Sequence, residues 1–223
     1  AGAELDEATF DYEPPTAVRT AGDPEAIRRA AEAMLAAKRP IIHAGQGVLY
    51  AEATDELVRV AEFLQAPVMT TLAGKSGFPE NHPLSVGAGA TSIPATVYHF
   101  LNQADLVFGI GCSFTKSNFA TPIPNGKIIV HATVDADDLN KDIKTGLPVA
   151  GDAKLVLAQL LDELKRQAGS EGRPANQALT DEIKSIKEKW LEQWMPKLTS
   201  DESPINPYRV VWDLMHTVDL DNT

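Results

Sequence analysis

The chain has 223 residues, 43% of them hydrophobic, enough to bury one sizeable core. Its formal charge of −11, from 20 Lys and Arg against 31 Asp and Glu, argues against nucleic acid or an anionic membrane as a partner. No apolar run nears the ~20 residues of a membrane span, and one cysteine, Cys112, excludes an internal disulfide framework and Cys-rich zinc sites.

The first ten residues, AGAELDEATF, lack the basic and apolar regions of a signal peptide, and the lone cysteine fits a reducing, cytoplasmic setting. The five histidines show neither H-x-x-x-H nor H-E-x-x-H spacing, so no metal site is expected.

Residues 1–21 are acidic and aperiodic and contain Pro14-Pro15, which reads as a leading linker. Asp23 then caps a helix with Pro24 at its first position and Glu25 in the positive first turn. Ile27, Ala30, Ala31, Met34 and Leu35 share one face, and Pro40 ends the helix.

A repeating beat follows. Pro40–Gly45 is a short apolar strand, Thr54–Ala66 an amphipathic helix with Thr54 as its cap, and Pro67–Leu72 a second strand. The Gly- and Pro-rich run to Gly89 reads as a long irregular loop, and Ile93–Ala104 as a helix. Asp105–Gly111, Lys127–Asp135 and Leu147–Asp152 are further strands, and a helix runs from Ala153 to about Gln167.

Near-continuous apolar strands alternating with amphipathic helices predict an α/β fold. It is a doubly wound, Rossmann-like parallel sheet of about six strands, with helices on both faces and a helical C-terminal extension. Gln167–Gln177 reads as a linker, Leu179–Trp194 as a helix that packs two Trp, and the stretch from Pro207 as an amphipathic helix. Both ends look like pieces of neighbouring domains. In such sheets ligands sit beyond the carboxyl ends of the strands. That places a candidate site at Gly45–Gly47, the Thr71–Gly77 loop, Gly111–Phe114 and Asp135.

Two phosphate motifs fail on inspection. AGKSG at Ala73–Gly77 invites a triphosphate loop, but Met69 stands where the first glycine is needed. Pro79 and Pro83 also interrupt the helix whose N-terminus would face the phosphates. GQG at Gly45–Gly47 would need its third glycine at Tyr50, which weakens a dinucleotide fingerprint.

Several single residues have ordinary structural readings. His82 makes a turn hydrogen bond beside Pro83, His131 is a satisfied core histidine, Cys112 is a buried inert thiol, and Asp137 and Asp138 begin a short helix.

A family resemblance rests on the pattern G-K-x-x-F-P-x-x-H-P-L-x-x-G, matched by Gly74, Lys75, Phe78, Pro79, His82, Pro83, Leu84 and Gly87. With RPIIHAGQGV before it and ADLVFGIGCSF, KIIVHATVDADDLNKD and PVAGDAKLVLAQL after it, residues 24–164 resemble the central domain of thiamine diphosphate-dependent enzymes. The group includes acetolactate synthase, pyruvate oxidase, oxalyl-CoA decarboxylase and benzaldehyde lyase. FDYEPP resembles the connector after a pyrimidine-binding domain, and INPYRVVWDLMHTV the first helix of a diphosphate-binding domain.

The resemblance implies a division into a linker over 1–21, a central domain over 22–168, a linker helix over 169–203 and the start of a diphosphate-binding domain over 204–223. It implies a parent that acts on 2-keto acids or acyl-CoA, as a carbon–carbon lyase, decarboxylase or acetolactate synthase-like transferase. Such a parent uses thiamine diphosphate and Mg and is a dimer or tetramer. The family's catalytic Glu and its G-D-G motif fall outside these residues, so the chain alone is expected to have no catalytic residue and no thiamine diphosphate site.

In some relatives this domain holds FAD or ADP. Carried over by position, the cofactor-binding candidates are Gly45, Gln46, Gly47, Leu72, Gly74, Gly111, Ser113, Asp135 and Asp152. Two departures point to a degenerate site. Ser113 replaces the Arg of G-x-R-F, and Thr133 replaces the first Asp of H-x-D-x-D. The alternatives are a functional ADP-, FAD- or CoA-binding module, or an NAD- or FAD-dependent oxidoreductase domain.

Overall fold

The computed structural model describes residues 13, 16, 18–90 and 92–219. Most of the leading linker, including most of FDYEPP, and the last four residues lie outside that set.

Six strands form one parallel sheet: β1 Pro40–Ala44, β2 Val68–Thr71, β3 Ser85–Gly89, β4 Leu106–Ile110, β5 Ile128–Thr133 and β6 Leu147–Ala150. Their order is β3-β2-β1-β4-β5-β6, so the winding reverses between β1 and β4. Two of the central strands, β1 and β4, are buried along their whole length, as near-continuous apolar runs require.

The sequence expectation for the run to Gly89 needs one correction. Its end, Ser85–Gly89, is not loop but the edge strand β3, paired with β2 through an irregular register at Val68/Met69. Glycines at Gly87 and Gly89 masked it, because Gly lowers strand propensity and is tolerated at an irregular edge.

One face of the sheet is covered by α1 (Pro24–Ala36), α3 (Thr54–Leu64) and α5 (Ala153–Ala168), packed on Ile42, Ala44, Leu106, Phe108, Val130 and Ala132. Between β1 and α3 lies a single turn of helix, α2 (Gly47–Tyr50). The Asp23 carboxylate accepts from Ala26 N at 2.9 Å, with Pro24 at the first helical position, as expected. Thr54 does not cap α3: it is the first residue inside the helix, Ala53 precedes it, and the Thr54 hydroxyl donates to Gly77 O at 3.2 Å.

The other face carries α4 (Ala95–Gln103) and the first half of α6 (Gln177–Leu198), through Val97, Phe100, Leu101, Ile183 and Ile186. Glu182 fixes α6 there by meeting His99 at 2.6 Å and Arg39 at 3.6 Å. A right-handed β4–β5 crossover must pass over this same face. Here the crossover has no helix: the irregular segment 112–127 lies across the sheet, with Phe114 and Ile123 packed down. The helix α7 (Pro207–Thr217) packs against α6, where Tyr208 meets Trp194 edge-on, and leaves Val210, Val211, Leu214 and Met215 exposed.

Candidate functional site

The reversal of winding opens a crevice between the carboxyl ends of β1 and β4, the place where such sheets take ligands. A cleft of about 1260 Å³ lies there. Of the sequence-derived candidates, Gly45, Gln46, Gly47, Leu72, Gly111, Ser113, Asp135 and Asp152 line it. Gly74 does not. It sits beneath the end of β1, where a Cβ would come within 2.7 Å of Ala44 O.

The glycines are explained by packing of the chain on itself. Gly45 N donates to Ile110 O and Gly47 N to Gly111 O, both at 2.9 Å. A Cβ on Gly45 would lie 2.6 Å from Cys112 Cα, and one on Gly47 would lie 2.7 Å from Gly111 Cα. Gly111 has φ +60°, and a Cβ there would meet Val48 N at 2.8 Å. The three glycines interlock the two loops, so the space freed by each missing side chain is already filled.

The two carboxylates also have structural partners. Asp135 accepts from Asp137 N at 3.0 Å and starts the short 3-10 turn Ala136–Asp138. Asp152 caps α5 through Lys154 N and Leu155 N at 3.1 and 3.2 Å, with Arg19 at 4.0 Å. Ser113 Oγ accepts a long bond from Thr115 N at 3.3 Å. Neither the two carboxylates nor Ser113 carries a positive charge; the lysines on the cleft wall are Lys116, Lys127 and Lys144.

Sequence reasoning missed a row of residues under the Phe114 ring at the edge of the cleft. His43, Gly109 and His131 stand in one row across β1, β4 and β5. Gly109 leaves a notch in that row, and the Phe114 ring fills it: a Cβ on Gly109 would fall inside 3.0 Å of the ring. The ring meets His43 edge-on at 5.5 Å and His131 at 4.8 Å between centroids. Phe114 reaches the notch with φ +49°, a left-handed backbone unusual for an aromatic residue. The signal was present in the sequence as the repeated strand ending I-H-A and V-H-A, at His43 and His131.

Both imidazoles are held neutral. Burial depresses His43 to about 4, with the neighbouring His131 adding to the effect. Burial also lowers His131, opposed by its bond to Cys112 O at 2.7 Å and by the Asp138 charge. Because that partner is a carbonyl, His131 Nε2 donates. His43 Nδ1 and Thr121 Oγ1, both lining the cleft, are buried without a partner among the described residues. Cys112 is buried and pushed up to about 12, so the thiol is inert at neutral pH. His82 Nδ1 accepts from Leu84 N at 3.1 Å, the turn bond expected of it.

The AGKSG turn holds no phosphate geometry. Gly74 N donates to Thr71 Oγ1 at 2.9 Å, and the Lys75 ammonium pairs with Glu80. Among the described residues no group of three or more His, Cys, Asp or Glu is placed to hold a metal, and no helix is long and apolar enough to cross a membrane.

The family model for the thiamine pyrophosphate enzyme central domain matches residues 27–160. The chain is 35% identical over 210 residues to a probable acetolactate synthase large subunit of Methanocaldococcus jannaschii, covering 90% of this chain and 33% of that protein. It is 31% identical to a probable sulfoacetaldehyde acetyltransferase of Rhizobium meliloti, covering 86% of this chain and 33% of the relative. Among solved structures, benzoylformate decarboxylase from Polynucleobacter necessarius aligns with a TM-score of 0.61 at 25% identity, over 78% of this chain and 32% of that one. The chain therefore spans about a third of the length of the relatives it matches. The matching model covers more than half of these residues, and the chain belongs to the family of thiamine pyrophosphate enzyme central domains.

Proposed function

We propose that the chain serves as the middle domain of a thiamine diphosphate-dependent enzyme that makes or breaks a carbon–carbon bond next to a carbonyl of a 2-keto acid or acyl-CoA. Its task there is to space and orient the pyrimidine- and diphosphate-binding domains. Residues 22–168 form the domain proper, 169–203 the linking helix, and 1–21 and 204–223 lead to its neighbours. The cofactor, when bound by those neighbours, supplies the carbanion chemistry. In this reading the groups that hold it belong to those neighbours, and the 223-residue chain alone is expected to be inactive.

The interlock of Gly45, Gly47 and Gly111 carries the structural part of this reading. A nucleotide-binding glycine loop keeps its open side for the diphosphate. In this chain the open sides face each other. Ser113 adds no charge to offset the loss.

A second reading, an ADP, FAD or CoA site at the same candidates, is favoured by the room in the cleft, about 1260 Å³, and by Lys116 and Lys144 on its lining. Titration calorimetry of the chain with ADP, FAD, NAD and CoA separates the two. No heat with any of them is expected, whereas micromolar binding of FAD or ADP overturns the degenerate-site reading. Binding of thiamine diphosphate with Mg by the chain alone, or turnover of pyruvate, overturns the assignment of chemistry to the neighbouring domains.

A further inference from the structure

The segment 112–127 replaces a crossover helix with a strap held at its start by Phe114 and Cys112, and further along by Lys116 N on Asp142 Oδ2 at 2.8 Å and by Ile123 on the sheet. Phe114 seats in the notch at Gly109, between His43 and His131, and Cys112 O accepts from His131 Nε2 at 2.7 Å. We infer that the strap is a proton-operated latch: protonation of His43 and His131 drives Phe114 out of its notch and lifts the strap while the sheet stays folded.

The physics is that of buried charge. The two rings share one apolar slot, so the second proton meets both desolvation and the first charge. The groups acting on the pair are few. Asp138 favours a charged His131, His131 disfavours charge on His43, and burial holds Cys112 as a neutral thiol. His43 Nδ1 has no partner among the described residues that could take up a proton's charge, so opening to water is the way to accommodate it. The strap also holds no regular secondary structure, so lifting it breaks no helix or sheet ladder.

The sign follows from the depressed values. In the open strap an imidazole titrates near 6.5, and in the closed one His43 titrates at about 4. Each pH unit lost between those limits therefore raises the opening constant up to about tenfold through His43, with a further rise of the same sign from His131.

Cys112 is the only cysteine and lies at the root of the strap, so it reports opening. The test is labelling of the 223-residue chain with 4,4′-dithiodipyridine from pH 7 to pH 4, normalised at each pH to the guanidinium-unfolded chain, with far-ultraviolet circular dichroism recorded alongside. The normalised rate is expected to climb at least tenfold as pH falls while the dichroism holds. In the double variant His43→Phe, His131→Gln it stays flat with pH. A rate that is flat in the wild type, or that rises only as the dichroism is lost, overturns the latch. So does a double variant that keeps the wild-type slope. If the double variant does not fold, His131→Gln alone, which keeps the donor to Cys112 O, must reduce the slope.

Discussion

The ring of Phe114 occupies the place that a side chain at Gly109 would take. The two residues are five apart in sequence, and the left-handed turn at Phe114 folds one onto the other. Gly109→Ala is therefore expected to cost about 2–3 kcal/mol through overpacking. Phe114→Ala should cost about 3–5 kcal/mol through the cavity it leaves. Combined, the two changes should fall short of their sum by about 1 kcal/mol or more, because each removes the reason for the other's penalty. Urea denaturation of the three variants measures this, and strict additivity would show that the notch is not what holds the ring.

Gly45 is the position where a ligand role and a packing role differ most sharply. Its missing Cβ faces backbone, Cys112 Cα at 2.6 Å, which cannot rotate aside as a side chain can. Gly45→Ala should destabilise the ligand-free chain by about 3 kcal/mol, a fall in Tm on the order of 10 °C for a chain of this size. Thermal unfolding without any nucleotide decides it. An unchanged Tm would return Gly45 to the list of ligand-contacting residues.

Arg173 reaches back from the connection after α5 to the ends of two helices. Its guanidinium donates to Leu64 O at 3.2 Å on α3 and, around the end of α1, to Met34 O, Leu35 O and Ala37 O at 3.1, 3.0 and 2.8 Å. These are the carbonyls that a helix leaves without partners. Arg173→Met should cost about 2 kcal/mol. Arg173→Lys should recover less than half of it, since one ammonium cannot span a fork that serves two helices. Equal stability of the Lys variant and the wild type would reduce Arg173 to a point charge.

The same residue shows where the sequence stopped being legible. QAGSEGRPANQ reads as a linker from its composition, and its backbone is irregular over 169–176, while Gln167 and Ala168 end α5 and Gln177 begins α6. Nothing in that composition says that one side chain clamps α1 and α3, because both partners lie more than a hundred positions away. The periodic elements were legible: β1, β4 and α5 fall where their apolar patterns put them, and Asp23 caps where it should. The edge strand β3 was hidden by its glycines. At the site, spacing located the loops that meet at the cleft but not their reason for meeting. Glycines that approach a diphosphate and glycines that approach each other look identical in a sequence. The His43–Gly109–His131 row depends on register across three strands, which local pattern does not carry.

The acid stability of the chain should carry the mark of that row. His43 sits well below its ordinary value of 6.5 because the folded chain desolvates it, so the unfolded chain binds the proton more tightly. Stability is then fully present above pH 6.5 and is lost as pH falls toward about 4, by up to about 3 kcal/mol from His43 alone, with a smaller loss of the same sign from His131. The carboxylates act in a lower window. The Glu163 carboxylate, hydrogen-bonded by Arg166, is depressed to about 2. Asp105, which accepts from Lys38 N and Arg39 N, is also lowered, against its own desolvation. Their contributions are lost only as pH falls below the ordinary carboxylate range. Urea midpoints between pH 7 and pH 4.5 therefore isolate the histidines. They should fall steadily in the wild type and more shallowly in His43→Phe, which removes the titrating ring while keeping an aromatic beside Phe114. Parallel slopes for the two proteins would mean that His43 is not neutral in the folded chain.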